Sequence, residues 1–368
     1  MLKERNVSEE LRRLADRCEG LPASTALGAW ARELSRGLEN PDRLFLERYA
    51  PIVRAEAARE GARPFLSVVT RTQGRRPESL REMLLSLAAQ TDGDFELLLV
   101  AHGAGGSERA DVAQSLAEMP ASFRRRARLL TLDGGSRGAP LNFAFAHARG
   151  EYAAVLDDDD LVFDDWVERF HEAAAHAPGR ILHAYAVTQK WEKLPGPDGA
   201  LPRSAAAPGV ECCGEFRFAR QLSVNLCPLL SLAFPTVYFR RWGLIFDEQL
   251  TTTEDWDYLM RLAPIAGVSD IRRPTGLYRL WQNAENSQTL HPQQEWEANY
   301  ARVQRKFRRM PMLFPPNSDK VERVDRYVPL ITPRRLLFKR RCRRLLPPPL
   351  WRAASRVYRA LGGRLWLG

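Results

Sequence analysis

Short apolar runs alternate with amphipathic segments between about residue 64 and residue 177 of the chain. Each run is five or six residues long and lacks strict polar alternation; the four runs lie at 65–70, 95–100, 127–132 and 152–156. This is typical of strands buried on both faces of a parallel sheet. The segments between the runs have apolar residues three or four positions apart, as in helices. The pattern predicts right-handed βαβ units and an α/β fold with a mostly parallel sheet flanked by helices.

The following part of the chain has a less regular pattern. One helix is predicted at about 164–177 and another begins at Glu254. Further strands are predicted at 180–187, 233–240 and 276–281, and residues 190–208, rich in proline, glycine and alanine, are predicted to form a loop. We therefore expect one α/β domain at 63–290 whose second half is more irregular than its first.

Helical periodicity also occurs on both sides of this domain. Residues 1–62 predict an N-terminal helical extension, and residues 291–333 a C-terminal helical segment. In residues 334–368, Trp351, Tyr358 and several aliphatic residues form one helical stripe, and arginines lie elsewhere. This last segment is predicted to be a basic amphipathic helical tail.

The net charge of +10 belongs to that tail. Eleven of the 55 Lys and Arg residues lie in 334–368, which has no Asp or Glu, so the remaining chain has 44 basic and 45 acidic residues. A basic amphipathic helix suits an anionic membrane surface, although a helix packed on the domain or a disordered polar tail has the same composition. Nucleic acid is not expected as a partner, because no recognition module accompanies the charge.

Composition and cysteine usage indicate a soluble, cytosolic protein. No apolar run approaches the ~18 residues of a membrane span, and the first residues lack the apolar core of a secretory signal. The five cysteines show no CxxC spacing, which is typical of free thiols in a reducing compartment. We expect a cytoplasmic location, peripheral on the inner face of the plasma membrane if the tail binds lipid.

Four consecutive aspartates, residues 157–160, follow the fourth apolar run. Carboxylates this close together oppose one another's ionisation, and a divalent cation among them relieves the repulsion. The carboxyl edge of a parallel sheet is also where open α/β folds bind ligands. A solvated acidic turn that caps the next helix is the alternative.

A second acidic cluster lies at 253–257, after three threonines. Ordinary capping of a helix start explains such a cluster equally well. However, Trp256 lies beside Asp255, and Trp281 lies in a later predicted strand. Carboxylates next to indoles can present a hydroxylated ligand on an apolar platform.

One reaction uses both acidic clusters. Sugar transfer from a nucleotide diphosphate needs a cation beside the departing diphosphate. It also needs a carboxylate base for the proton of the attacking hydroxyl. A metal site at a strand end and a separate base about a hundred residues later provide these two parts.

The motifs in this region resemble those of family 2 glycosyltransferases, in the family's order and near its spacing, from about residue 64 to residue 287. They are LSVVTRT at 66–72, the helix 80–91 ending in AQT, FELLLV at 95–100, LNFAFAHARGEY at 141–152, VLDDDD at 155–160, and FD at 246–247 with EDWD at 254–257. The resemblance implies a GT-A (Rossmann-like) fold, a nucleotide-activated sugar donor, divalent Mn²⁺ or Mg²⁺, and inversion at the anomeric carbon.

The resemblance also implies site residues. Asp255 corresponds to the catalytic base, and Asp157 and Asp159 correspond to the ends of the Asp-x-Asp metal motif. The residues expected to bind the nucleotide-sugar are Thr70, Arg71, Thr72, His102, Arg137, Asp157 and Asp158. Those expected to contact the acceptor are Glu254, Trp256, Arg279 and Trp281.

One departure from the family pattern concerns the nucleobase. The family usually has two aspartates after the second strand, whereas this chain has Val100-Ala101-His102-Gly103. His102 can replace the base contact as donor or acceptor, or it can simply cap the loop. We expect a UDP- or dTDP-sugar as donor and a cell-surface glycan or glycolipid as acceptor, with a catalytically silent sugar-nucleotide-binding scaffold as the alternative.

Overall fold

A mixed sheet lies at the centre of the structure, which is a computed structural model. It describes residues 63–196, 199–241, 243–282 and 291–309. The predicted N-terminal extension (1–62), the basic tail (334–368) and residues 310–333 lie outside the described residues.

Ten strands of the described residues form one sheet in the order β3-β2-β1-β4-β9-β6-β10-β5, and β7 and β8 pair with β6. The strands are β1 (Leu66–Thr72), β2 (Phe95–His102), β3 (Ala127–Leu132), β4 (Tyr152–Val155), β5 (Leu161–Val162), β6 (Ile181–Gly196), β7 (Gly199–Ser204), β8 (Gly209–Cys212), β9 (Leu232–Pro235) and β10 (Val268–Trp281). The first four are mutually parallel, as predicted. β9 runs antiparallel to β4 and β6, so the sheet as a whole is mixed.

Helices cover both faces of this sheet. They are α1 (Pro77–Ala88), α2 (Gly106–Ala117), α3 (Ala121–Arg124), α4 (Ala139–His147), α5 (Trp166–His176), α6 (Phe218–Gln221), α7 (Thr236–Arg240), α8 (Glu254–Ala266) and α9 (Gln293–Arg309), with a 3₁₀ turn at Leu229–Ser231. Pro77 begins α1, where its missing N–H costs nothing. The predicted apolar face of α1 is buried.

The strand residues alternate between two hydrophobic cores. Leu98 and Val100 of β2 face one core, whereas Leu97 and Leu99 face the other. Both faces of the strand are therefore buried, which explains why β2 reads as a continuous apolar run. The core on the side of Leu98 includes residues of α4 and α8, and the opposite core includes residues of α1 and α5.

Two predictions for the second half were wrong. Residues 190–208 are not simply a loop, because β6 continues to Gly196 and pairs antiparallel with β7. Only residues 233–235 of the predicted strand at 233–240 belong to a strand, β9, and Thr236–Arg240 forms α7. The helix from Glu254 and the strand ending at Trp281 are confirmed.

The register of the sheet brings two motifs to one edge. β1 and β4 are parallel neighbours, and Val69 pairs with Val155. Arg71 and Asp157 each lie two residues beyond that pair, at the carboxyl ends of their strands. Such an edge is where open α/β sheets bind ligands.

Candidate active site

Arg71 connects the two acidic clusters. Its Nε lies 3.3 Å from Asp157 Oδ1, and its Nη1 donates a 2.8 Å hydrogen bond to Glu254 Oε1. Nη1 also donates to the backbone carbonyl of Arg137 at 2.7 Å. The aspartate run after β4 and the start of α8 are therefore parts of one site.

A second arginine, Arg76, binds the middle of the aspartate run. Its Nη2 lies 2.5 Å from Asp158 Oδ1, and its Nη1 pairs with Asp159 Oδ2. Asp158 also accepts a 2.6 Å hydrogen bond from the hydroxyl of Thr72. Sequence reasoning missed Arg76. Its position immediately before α1, one loop after β1, was the available signal.

Arg279 supports the aspartate run from below. Its side chain is fully buried, pairs with Glu82 and donates to the backbone carbonyl of Asp159. Its backbone N–H donates to Asp160 Oδ1 at 2.9 Å. The guanidinium also lies 5.3 Å from the ring centroids of both Trp191 and Trp281. Because its side chain is buried and bonded within the protein, Arg279 supports the aspartate run and is not exposed for the predicted contact with an acceptor.

Burial and crowding oppose ionisation of the aspartates. Burial raises the pKa of Asp158 even though Arg76 opposes this. Burial, together with Asp158 and Asp157, raises the pKa of Asp159 to about 6. The pKa of Asp160 is raised well above its usual range by burial and by its neighbours Asp159 and Asp157. Positive charge close to these carboxyl groups would therefore stabilise their ionised forms.

Glu254 is an ionised, buried carboxylate. Its Oε1 accepts hydrogen bonds of 2.8 Å from Arg71 and from Nε of Arg137. Burial alone would raise the pKa of Glu254, but Arg137 and Arg71 outweigh it and lower the pKa. Because Arg71 and Arg137 both donate to the same oxygen, Glu254 fixes the positions of these two guanidinium groups relative to each other.

Asp255, the next residue, has a different environment. It is only partly exposed, and its Oδ2 accepts a 2.9 Å hydrogen bond from Nδ2 of Asn225. Burial and the neighbouring Glu254 raise the pKa of Asp255 to about 6. Two adjacent carboxylates therefore have pKa values displaced in opposite directions, which is the pattern of an acid–base site.

The helix that carries both carboxylates begins with a strained residue. Thr253 has φ 64°, and it is the one non-glycine residue with positive φ among those the structure describes. A left-handed threonine costs about 1–3 kcal/mol and commonly marks a functional site. The carboxylates of the first turn also interact favourably with the helix dipole.

Tyr278 of β10 is within electrostatic reach of both acidic clusters. Burial raises the pKa of its phenol, and the charges of Asp160, Asp157 and Asp255 raise it further. Carboxylates of both clusters therefore act on the same phenol.

His102 is the last residue of β2, at the same edge of the sheet. Burial lowers its pKa, and the nearby charge of Arg71 lowers it further. Its Nε2 is buried and has no hydrogen-bond partner within the described structure. A neutral imidazole with one unsatisfied nitrogen can accept a hydrogen bond from a ligand or donate one to it.

The predicted aromatic platform was wrong. Trp256 is 1% exposed, donates from Nε1 to the carbonyl of Gln221, and packs on Tyr300 and Phe307. Trp281 is also buried. Neither indole offers a face to an acceptor. Thr70, expected in the nucleotide loop, is buried too, with its hydroxyl toward the sulfur of Met83.

The carboxylates of the aspartate run suit a divalent ion whose other coordinating oxygens come from water and from a bound substrate. Within the described ranges, no three acidic, histidine or cysteine side chains are grouped to hold a metal by themselves. Mg²⁺ commonly uses one or two carboxylates and takes its other ligands from water and substrate phosphates. Asp157 and Asp159 provide such carboxylates, which an entering ion would share with Arg71 and Arg76.

Part of the chain matches a known protein family. The profile of the family described as Glycosyl transferase family 2 matches residues 67–201. An uncharacterized glycosyltransferase of Rickettsia felis is 27% identical over 203 residues, which are 50% of this chain and 30% of the relative. A second one, from Rickettsia conorii, is 26% identical over 205 residues, with the same coverage of 50% and 30%. The chain thus spans about a third of the length of these curated relatives.

A solved structure shares the fold. The mannosyltransferase PcManGT from Pyrobaculum calidifontis, solved in complex with GDP-Man and Mn²⁺, has a TM-score of 0.52 at 15% identity. The similarity covers 93% of each chain. The predicted GT-A fold is confirmed. Among the described helices, none has the length and apolar character needed to cross a bilayer.

Proposed function

We propose that the chain is a member of glycosyl transferase family 2, whose profile matches residues 67–201, and that it moves a sugar from a nucleotide-diphosphate donor to a hydroxyl acceptor with inversion at the anomeric carbon. The observation that carries this proposal is the bridge from Asp157 through Arg71 to Glu254. It joins the edge expected for the donor to the helix start that carries Asp255, so that donor and base share one site.

Asp255 acts as the general base in this proposal. The acceptor oxygen forms a bond to the anomeric carbon while the bond from that carbon to the diphosphate oxygen breaks. The acceptor proton passes to the Asp255 carboxylate, and the electron pair of the broken bond leaves with the diphosphate. A base with a pKa near 6 is ionised at neutral pH and is still basic enough to take the proton.

The arginines and aspartates at the sheet edge serve the donor. Arg71 and Arg137 are cations beside Asp157 and Glu254, suited to the charge of a diphosphate. A divalent ion at Asp157 and Asp159, when bound, supplies further neutralisation of that leaving group. Thr72 and Asp158 are joined by a hydrogen bond at this edge, and His102 is the proposed nucleoside contact.

Donor and acceptor identities are proposed at the level of class. We propose a UDP- or dTDP-sugar and Mn²⁺ or Mg²⁺. The mannosyltransferase neighbour was solved with GDP-Man and Mn²⁺, which supports a nucleotide-sugar donor and a divalent ion as classes but not the choice of base. The proposed acceptor is a cell-surface glycan or glycolipid. We also propose that the protein is cytoplasmic and that residues 334–368 attach it to an anionic membrane. This attachment would give it access to a lipid-linked acceptor.

Thermal shift with UDP-, dTDP- and GDP-sugars, with and without Mn²⁺, tests the donor assignment, because a ligand that binds the folded state raises its melting temperature. The donor that stabilises the protein is then used in transfer assays with Asp255→Asn and, as a surface control, Asp133→Asn. We expect the first variant to lose transfer and keep donor binding. Donor binding by the wild type without any transfer to a panel of acceptors would favour the sugar-nucleotide-binding scaffold instead.

A further inference from the structure

Asp255 has a polar partner from another part of the chain. Nδ2 of Asn225 donates a 2.9 Å hydrogen bond to Asp255 Oδ2 across 30 residues of sequence. We infer that Asn225 is a positioning residue that fixes the orientation of the Asp255 carboxylate and favours its ionised form. The inference rests on the proposed role of Asp255 as base.

The orientation of the Asn225 amide is set by a second hydrogen bond. Its Oδ1 accepts from the backbone N–H of Cys227 at 3.2 Å. A backbone N–H can only donate, so the amide oxygen must face Cys227. The NH₂ group is left to face Asp255, where it acts as a donor to the carboxylate.

The segment that carries Asn225 is tied to the helix that carries Asp255. Gln221 Oε1 accepts from the backbone N–H of Leu226 at 3.1 Å, and the Gln221 carbonyl accepts from Trp256 Nε1 at 2.7 Å. Trp256 is the residue after Asp255 in α8. The hydroxyl of Tyr300 in α9 also donates to the Ser223 carbonyl at 2.7 Å. These bonds hold Asn225 at a fixed distance from the base.

Asn225 contributes to a balance of charges around Asp255. Burial and Glu254, its neighbour in α8, oppose ionisation. Arg137 and Arg71 favour it, as does the backbone N–H of Trp256. Among the described residues, the Tyr278 phenol and the Cys227 thiol also interact with Asp255, and their own pKa values are raised mainly by burial. Against this background, a donor at Oδ2 lowers the cost of the negative charge.

The two hydrogen bonds restrict which side chain can replace Asn225. It must donate toward Asp255 and accept from the Cys227 N–H at the same time. Asparagine does both. Aspartate keeps the shape and the contact with Cys227 but brings a second negative charge toward Asp255, and alanine removes both contacts.

The test compares Asn225→Ala and Asn225→Asp with the wild type, using whichever of the UDP-, dTDP- and GDP-sugars raises the melting temperature of the wild type. A hydrogen bond to a charged group is typically strong enough that kcat should fall roughly 10- to 100-fold in either variant. The KM for the donor should stay within about twofold, because the side-chain hydrogen bonds of Asn225 go to Asp255 and Cys227 and not to the aspartate run. The acid limb of the kcat–pH profile, near 6 in the wild type, should move to higher pH, furthest in Asn225→Asp.

A double mutant separates this role from a general structural one. If Asn225 acts through Asp255, Asn225→Ala should have little further effect on the residual rate of Asp255→Asn. Where thermal shift shows that Asn225→Ala is misfolded, the nearly isosteric Asn225→Asp decides the matter. An unmoved acid limb together with wild-type kcat in a folded variant would overturn the inference.

The two proposals fail in different ways. If Asp255→Asn keeps full turnover, the base itself is misassigned and the proposed mechanism is wrong. If Asp255→Asn is inactive but the Asn225 variants have normal kcat and pH profiles, only the positioning role is wrong.

Discussion

Arg71 donates a 2.8 Å hydrogen bond to Glu254, although 183 residues separate them in the chain. The same guanidinium contacts Asp157, so it holds together two carboxylates that would otherwise repel each other. Glu254 is buried and has the lower pKa expected of a carboxylate that depends on its arginines. The contact therefore joins the carboxyl ends of β1 and β4 to the start of α8.

Replacing Arg71 with methionine should damage both stability and transfer. The substitution leaves Glu254 with Arg137 alone and removes a cation from the donor edge. Loss of a charge-assisted hydrogen bond of about 1.5–3 kcal/mol predicts a kcat/KM that is lower by roughly 10- to 100-fold. Arg71→Lys should recover part of the activity but not the paired contacts. Steady-state kinetics check this, with the exposed Arg241→Met as a control that should behave like the wild type.

The pH dependence of transfer should report Asp255. Because its pKa is raised to about 6, the fraction of ionised base falls as the pH drops through that value. The logarithm of kcat should therefore decline on the acid side of about pH 6 and be level between about 7 and 8. Asp255→Asn should lower kcat by roughly 10²- to 10⁴-fold and abolish this limb. A variant that keeps the limb would assign it to another group.

The ionised Asp255 carboxylate should lower the stability of the folded protein. A folded-state pKa above the unfolded value of 3.8 means that ionisation is less favourable in the fold. The cost is absent below pH 3.8, grows as the pH rises toward 6, and is constant above it. Asp255→Asn should therefore raise the free energy of unfolding at pH 8 by up to about 3 kcal/mol. Urea denaturation at pH 8 and pH 4 checks this, since the gain should be small at the lower pH.

Much of the first half of the fold could be predicted because its signal is local. β1, β2 and β4 are buried on both faces, so each appears as a mainly apolar run. The edge strand β3 is only partly buried, and its apolar residues were still enough to predict it. Residues 199–204, in contrast, pair with β6 through long-range contacts that leave no periodic trace among proline, glycine and alanine. The apolar aromatic stretch at Thr236–Arg240 is too short for its pattern to distinguish a strand from a helical turn.

The site was partly predictable for the same reason. Motif order indicated that the aspartate run and Asp255 belong together, but the contacts that join them depend on tertiary structure. Successive helix residues point about 100° apart, so Asp255 can face the site while Trp256 enters the core. Asn225 lies in a segment without helix or strand, and no local signal in the sequence distinguishes it from other loop asparagines.

Binding of the donor should depend on the divalent ion and on Asp159. Burial raises the pKa of this carboxyl to about 6, which means that its negative charge is costly in the free protein. A bound cation would offset that cost and favour the ionised carboxylate. Chelation of the metal, or Asp159→Asn, should weaken nucleotide-sugar binding by roughly tenfold or more, because a charge-assisted contact is lost. Isothermal titration with and without Mn²⁺ checks this, and Asp133→Asn is the control. Equal affinity with and without the ion would assign donor binding to the arginines alone.

The docking of α9 should depend on one buried lysine. Nζ of Lys306 pairs with Asp247 at 2.5 Å and with Asp257 at 2.8 Å, and Asp257 belongs to the first turn of α8. Lys306→Met keeps the length of the side chain but leaves two buried carboxylates short of a cation. Removing one partner of a buried ion pair typically costs about 3–5 kcal/mol. The lower end is expected here, because Asp257 retains Arg261.

The loss should also depend on pH in a defined direction. Burial opposes the charge of Asp247, but Lys306 outweighs it and lowers the pKa of this carboxyl. The stabilisation is therefore present above the unfolded pKa of 3.8 and is lost as the pH falls through the folded-state value. Urea denaturation should show a large difference between Lys306→Met and the wild type at pH 7 and a smaller one near pH 3. The exposed Lys190→Met should match the wild type at both, and a Lys306 variant of wild-type stability would mean that α9 docks through its apolar contacts alone.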